Sequence, residues 1–155
     1  MRSDRIHPVT IEEALQLVPL LRLEDMRELE GAGMNPLFAL PFSVSISDKA
    51  IKFLTSEGEI AGIAGVRSDD NGHGIVWMLC TKAVSKMPVS FVRGAKDWLL
   101  TLSNYKLLYN TADPRNILHL KLLKMLGFKK ICYVPTGPKA LTYVEFAKIM
   151  PCVIQ

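Results

Sequence analysis

Cysteine is scarce in this chain. Cys80, Cys132 and Cys152 are odd in number and widely spaced, with no C-x-x-C and no pair of histidines at ligand spacing. A disulfide framework and a tetrahedral zinc site are excluded on that count, and a reducing compartment is the simpler reading. No window comes near the roughly 18 uninterrupted apolar residues that a membrane-spanning helix needs. The opening Met1-Arg2-Ser3-Asp4-Arg5 leads into no apolar stretch of a secretory leader, so a soluble, unprocessed protein is expected. There is also no run of five like charges, no basic stretch interleaved with aromatics, and no repeat or low-complexity segment. These absences argue against a nucleic-acid-binding surface, an interaction tail and a solenoid.

What is present suits one globular domain over residues 1–155, since 49% of the residues are apolar and 22% charged. A chain of this length buries about 70% of its unfolded surface, enough for a core without cross-links. The net charge is +4, unevenly placed. Residues 1–105 carry eleven basic and thirteen acidic side chains, whereas residues 106–155 carry eight and two. The basic excess is either a solvated face or a meeting point for an anionic partner.

Local signals divide the chain. Ile6–Val9 reads as a short strand limited by Pro8, and Thr10 as an N-cap with Glu12 and Glu13 in the first turn of a helix reaching Leu20. Leu23–Leu29 reads as a second helix, stopped by Gly31 and Gly33. Residues 34–49 are apolar but carry Pro36 and Pro41, so a loop or short helix over the core is expected. Ala50–Ser56 and Ile60–Val66 form a hairpin about Glu57-Gly58-Glu59, and Ile75–Cys80, nearly all apolar, is the central strand. Pro88 opens a helix whose apolar face is Phe91, Val92, Ala95, Trp98, Leu99 and Leu102, ending near Asn104. A strand at Lys106–Asn110, a helix over Arg115–Leu126 closed by Gly127, and strands at Phe128–Val134 and Ala140–Phe146 complete the order. That order predicts an α/β fold with a mixed, largely antiparallel sheet and helices on both faces.

Asn116, Leu122, Gly127 and Phe128 reproduce the spacing of N-x-x-A-x-x-L-Y-x-x-x-G-F, and on these residues the chain resembles the GNAT family of N-acetyltransferases. The resemblance implies that this helix starts beside acetyl-CoA, that its Asn bonds the pantetheine arm, and that a Tyr protonates the departing thiolate. Here His119 stands in place of the motif's Ala and Leu123 in place of its Tyr. The family's R/Q-x-x-G-x-G/A loop is missing too. Thr81-Lys82-Ala83-Val84-Ser85-Lys86-Met87-Pro88 contains no glycine, and lysine charge does not replace the close backbone approach that a diphosphate cradle requires. With Trp77, the Cys80-Thr81 strand end and Trp98, the Asn116-x-x-His119-x-x-x-Leu123-x-x-x-Gly127 helix is also similar to a narrower family. This is the GNAT-like podovirus internal virion protein A family of tailed phages.

Each candidate residue has a functional and a structural reading. Asn116 either bonds a pantetheine amide or caps its own helix. His119 is either a general base or a hydrogen-bonded structural histidine. Cys80 is either an acyl-enzyme nucleophile or a buried, inert thiol. Trp77 to Leu79 lie on the strand that, by the resemblance, pairs with the cofactor arm, their side chains reading as core. Tyr105, Tyr109, Tyr133 and Tyr143 each bring a hydroxyl, and nothing in their spacing selects one. Lys121, Lys124, Lys129 and Lys130 face either the 3′-phosphate of CoA or an acidic protein, or simply favour a helix C-terminus. The resemblance implies a virion-associated internal core or assembly protein with a degenerate acetyl-CoA site, partnered by other phage virion proteins in the particle or the host cytoplasm. The alternative is an acyl-CoA-dependent N-acetyltransferase acting on a host or phage amine, using Trp77, Leu79 and Asn116 for the cofactor and His119 or Cys80 in the chemistry. Metal and membrane have no expected role.

Overall fold

Local punctuation fixes most element ends in the computed structural model, which describes residues 5–151. Of the three cysteines, Cys152 lies outside that range. Helix α1 (Ile11–Leu17) begins at a capping box in which Thr10 accepts from the Glu13 N–H and Glu13 accepts from the Thr10 N–H. Both bonds satisfy backbone donors that the first helical turn leaves open. A 3₁₀ turn at Val18–Leu20 and helix α2 (Leu23–Gly31) follow. The chain leaves α2 through Gly33, whose φ of 82° is left-handed, a conformation glycine adopts without a Cβ penalty.

Residues 34–49, expected to be a loop or short helix over the core, contain the eleven-residue helix α3 (Pro36–Ile46). Pro36 occupies the first turn, where its missing N–H has no helical acceptor anyway, and the Asn35 side chain accepts from the Leu37 N–H at 3.0 Å. Pro41 sits inside the helix and forfeits one bond. Burial of Ala39, Leu40 and Val44 against α1 and the sheet offsets that loss. Each large aliphatic side chain buried contributes about 1.5–3 kcal/mol.

Seven strands form one sheet: β1 (Ile6–Pro8), β2 (Lys49–Leu54), β3 (Ile60–Ser68), β4 (Gly74–Cys80), β5 (Leu107–Ala112), β6 (Lys129–Thr136) and β7 (Leu141–Ile149), in the order β1-β2-β3-β4-β5-β7-β6. Every neighbouring pair is antiparallel except β4–β5. Helices α4 (Pro88–Leu100) and α5 (Ile117–Met125) complete the chain. Because side chains alternate along a strand, Val76, Met78 and Cys80 of β4 face α4 and α5, while Trp77 and Leu79 face α1, α2 and α3. The nearly continuous apolar run of β4 follows from being covered on both sides. The helix expected to reach Asn104 ends at Leu100, beyond which the chain turns toward β5.

The feature that matters for function is a break in the sheet. Strands β4 and β5 pair only at Gly74 with Leu108 and Ile75 with Tyr109, and then diverge. Asn110 marks the apex, its side-chain amide donating to the Val76 carbonyl at 2.5 Å. At the open end, the start of α2 lies against β4. Leu21 bridges Thr81, the Arg22 N–H donates to the Cys80 carbonyl at 2.9 Å, and Asp25 Oδ2 accepts from the Cys80 N–H at 2.9 Å.

Candidate active site

Backbone alternation places the reactive edge of the wedge. Thr81 donates to the Ala61 carbonyl, so Leu79 and Trp77 also bond across to β3, while Val76, Met78 and Cys80 direct their N–H and C=O toward β5. The Val76 carbonyl is taken by Asn110, and both Cys80 groups are taken by Asp25 and Arg22. Met78 is left with its N–H and C=O facing the wedge and no partner among the described residues. A cavity of about 380 Å³ occupies this space. It is walled by Phe42, Ser43 and Ile46 of α3 on one side of the sheet and by Ala95, Trp98 and Leu123 on the other. Trp77 forms part of its floor, held by Nε1–H donation to Ser47 Oγ at 2.8 Å. Gly65 lies under the Trp77 ring, and a Cβ there would come within 2.6 Å of it.

Glu28 and His119 give the cavity a polar wall, and a buried polar cluster stands behind it. Asp25 is 3% exposed, Glu28 8% and Asn116 1%. Asn116 Nδ2 donates to Asp25 Oδ1 at 2.8 Å and lies 3.5 Å from Glu28 Oε2, while its own Oδ1 has no partner. His119 Nδ1 sits 3.1 Å from Glu28 Oε2, and Glu28 Oε1 accepts the Asp113 N–H at 2.5 Å. Tyr143 donates its hydroxyl proton to the Glu28 carbonyl oxygen at 2.6 Å, and its close approach to the backbone explains why position 31 is glycine. Asp113 is itself held by the Arg115 guanidinium at 2.7 Å.

These contacts set the protonation states. Burial works against a charged His119, but the hydrogen bond and charge of Glu28, with the charge of Asp25, more than offset it and raise its pKa. Burial raises Asp25, against the pull of the Cys80 N–H, Asn116 and Arg22. Burial, with the charges of Asp113 and Glu28, pushes Tyr143 up to about 12, so its hydroxyl stays protonated. The site thus couples a hydrogen-bonded His–Glu pair to a second buried carboxylate beside an unpaired strand backbone. Such an array can hold and exchange a proton at the His–Glu pair and offers the Met78 N–H to a carbonyl.

The candidates of the sequence fall unevenly around this array. His119 lines the cavity, as do Trp77 and Leu79. Asn116 stands at the N-cap position of α5 but makes no capping bond, and its amide turns inward to the carboxylates. Cys80 is buried, and burial together with the charges of Asp25 and Glu28 raises its pKa, so the thiol stays protonated. Of the four tyrosines only Tyr143 borders the cavity; Tyr105 and Tyr109 donate to Asp48 and Asp69, and Tyr133 is exposed. Asp25, Glu28 and Asn110 were not singled out in the sequence. Their signal exists for α2, where Asp25, Glu28, Leu29 and Ala32 fall on one helical stripe, so that two carboxylates occupy positions an amphipathic helix gives to core residues.

The segment between β4 and α4 is a 3₁₀ turn over Lys82–Lys86. Its Ala83 N–H bonds Thr81 Oγ1, its Val84 N–H the Thr81 carbonyl, and the Met87 N–H the Val84 carbonyl, while Pro88 has none. With these N–H groups taken, and no glycine in the segment, the turn is not the glycine-lined diphosphate loop that the resemblance implies. Among the described residues no cluster of His, Cys, Asp and Glu suited to a metal ion occurs, and no helix is long and apolar enough to cross a membrane.

No protein-family model matches the sequence, and no curated protein is similar to it. Solved structures do match in three dimensions. An acetyltransferase of the GNAT family from Streptococcus pneumoniae superposes with a TM-score of 0.66 at 14% identity, covering 94% of this chain and 98% of that one. Aminoglycoside acetyltransferase AAC(6')-Ib, solved with ribostamycin and coenzyme A, gives 0.68 at 15% identity over 93% and 92%. A phosphinothricin acetyltransferase from Sinorhizobium meliloti in complex with AcCoA gives 0.67 at 12% identity over 94% and 87%. At such identities the likeness concerns architecture, and it establishes that this α/β chain, with its largely antiparallel seven-stranded sheet, has a GNAT-like fold.

Proposed function

We propose that the protein is an N-acyltransferase that takes an acyl thioester, acetyl-CoA in the first instance, in the wedge between β4 and β5 and transfers its acyl group to an amine. The observation that carries this reading is the unpaired Met78 backbone at the cavity floor with the His119–Glu28 pair on its wall. A bound thioester would supply the activated acyl carbonyl; the C–N bond to the amine forms as the C–S bond breaks, and the thiolate departs to solvent, where it is protonated. The Met78 N–H, facing the wedge without a strand partner, would donate to that carbonyl oxygen, and such a bond strengthens as charge develops. Above its raised pKa, where the ring is neutral and Glu28 accepts its Nδ1–H, His119 is placed to take the proton of the incoming ammonium, because a neutral amine is the nucleophile. Trp77 and Phe42 shape the acceptor side, and Asn116, behind the wall, bridges Asp25 and Glu28 through its Nδ2. The CoA-bound and aminoglycoside-bound neighbours support a thioester donor and an amine acceptor.

The test is calorimetric titration of acetyl-CoA and CoA into wild type and Asn116→Ala, followed by thiol release with a panel of amines for wild type, His119→Ala and Glu28→Gln. Saturable binding, with turnover reduced about 10²–10⁴-fold in both wall variants, is expected. No heat and no thermal stabilisation at millimolar ligand would overturn the reading. The 3₁₀ turn at Lys82–Lys86 and α2 against the upper edge of β4 support a second, non-catalytic reading, whose virion setting, an internal core or assembly module of a tailed phage, rests on the sequence resemblance alone. Its partners would be other virion proteins. Absence of the protein from particles and assembly intermediates would remove that reading.

A further inference from the structure

A second cleft, of about 640 Å³, opens between α5 and the β6–β7 pair. Its floor is apolar, made by Leu120, Leu123, Phe128, Val144 and Phe146, with Phe128 and Phe146 packed edge to face at a centroid distance of 5.3 Å. Lys121, Lys124, Lys129 and Lys130 surround that floor, and no acidic side chain lines the cleft. None of the four lysines enters an ion pair among the described residues. The sequence places them where the chain is most one-sidedly charged, with eight basic and two acidic residues over 106–155.

Two physical demands meet here. Lysines at an opening with no counter-charge beside them favour an anion, and an apolar recess of this size is relieved by hydrocarbon. A flat acidic protein surface answers the first demand without entering the recess, and inorganic phosphate leaves the floor wet. We propose that the α5–β6 cleft is a binding site for a small amphiphile with a single alkyl chain and an anionic head, of the fatty-acid type. The chain lies on Leu120, Val144 and Phe146, and the head is held among the lysines. Leu123, Phe128 and Phe146 also line the wedge cavity, so the occupant lies against the back of that site while standing outside it. The proposal does not depend on acyl transfer in the wedge.

Dodecanoate in its monomeric range is titrated calorimetrically into the full chain and into the double variant Lys121→Glu/Lys124→Glu, at low and high salt. Inorganic phosphate and anionic lipid vesicles are parallel arms. One-to-one uptake is expected, weakened by salt and at least tenfold weaker in the double variant, whose melting temperature stays close to wild type because both lysines are exposed. Phosphate alone should bind far more weakly. Failure to take up dodecanoate, equal affinity in the charge-reversed variant, phosphate binding as tight as dodecanoate, or capture by vesicles without uptake of the monomer would each overturn the assignment.

Discussion

Glu28→Gln isolates the central electrostatic claim, since the two side chains have nearly the same shape. In the wild type the carboxylate accepts the Asp113 N–H on Oε1 and faces Asn116 Nδ2 and His119 Nδ1 on Oε2. The substituted amide keeps one oxygen, and the 2.5 Å backbone bond claims it. The new NH₂ group then faces Asn116 donor to donor, and it can bond His119 only by donating to a neutral Nδ1. One charge-assisted bond to the imidazolium is lost, worth about 1.5–3 kcal/mol. At about 1.4 kcal/mol per tenfold, the proton affinity of His119 drops by one to two orders of magnitude. Burial, which opposes the charge, is then no longer overcome by Glu28.

The sign of the stability effect follows from linkage. In the wild type the folded pKa of His119 is raised, so the stabilisation is fully present below the unfolded value of about 6.5 and is lost as pH rises through the folded one. The stability gap between wild type and Glu28→Gln therefore narrows as pH rises through the folded pKa of His119. Proton NMR of the imidazole resonances reads the titration directly, because the chain has three histidines, and urea melts at several pH values read the gap. If His119 titrates at the same pH in both proteins, the pair as described is wrong.

Asn116→Ala should lower stability by about 2–4 kcal/mol, since it removes a buried donor from Asp25 and leaves a small void; a loss below about 1 kcal/mol in urea melts would show that the amide is not integral to the cluster. With Cys152 replaced by serine, an aromatic disulfide reagent should titrate exposed Cys132 quickly and Cys80 only on unfolding. Equal rates for the two would contradict the burial and raised pKa of Cys80. Gly65→Val should displace the Trp77 ring, break its bond to Ser47 and destabilise by about 1–3 kcal/mol. The check is Trp77 emission in a Trp98→Phe background, and an unshifted spectrum would refute the close approach.

Much of the fold was legible locally because short-range chemistry writes it. The Thr10–Glu13 box, Gly58 with φ of 84° in the β2–β3 turn, Pro88 at the head of α4 and Gly127 with φ of 91° after α5 act within a few residues of where they stand. Helix α3 was legible only as one of two alternatives, because Pro41 speaks locally against a helix while the burial that overrules it comes from α1 and the sheet. The site was half legible. His119 stood out through the motif position it takes in the resemblance, with a structural reading beside the catalytic one, but Glu28 and Asp25 resembled ordinary surface charges until the stripe they share with Leu29 was seen to be buried.

By itself the sequence determined the order and period of the elements, the central place of β4, the missing diphosphate loop and the hydroxyl absent at Leu123. Those depend on residue type and spacing within single segments. Tertiary structure alone decided that α2 meets α5 across 91 positions of sequence, that Asn116 turns from its own helix end to Asp25, and that Met78 keeps an unpaired backbone. The physical reason is that the charge state and availability of a buried group are set by what surrounds it, and those surroundings come from segments distant in the chain.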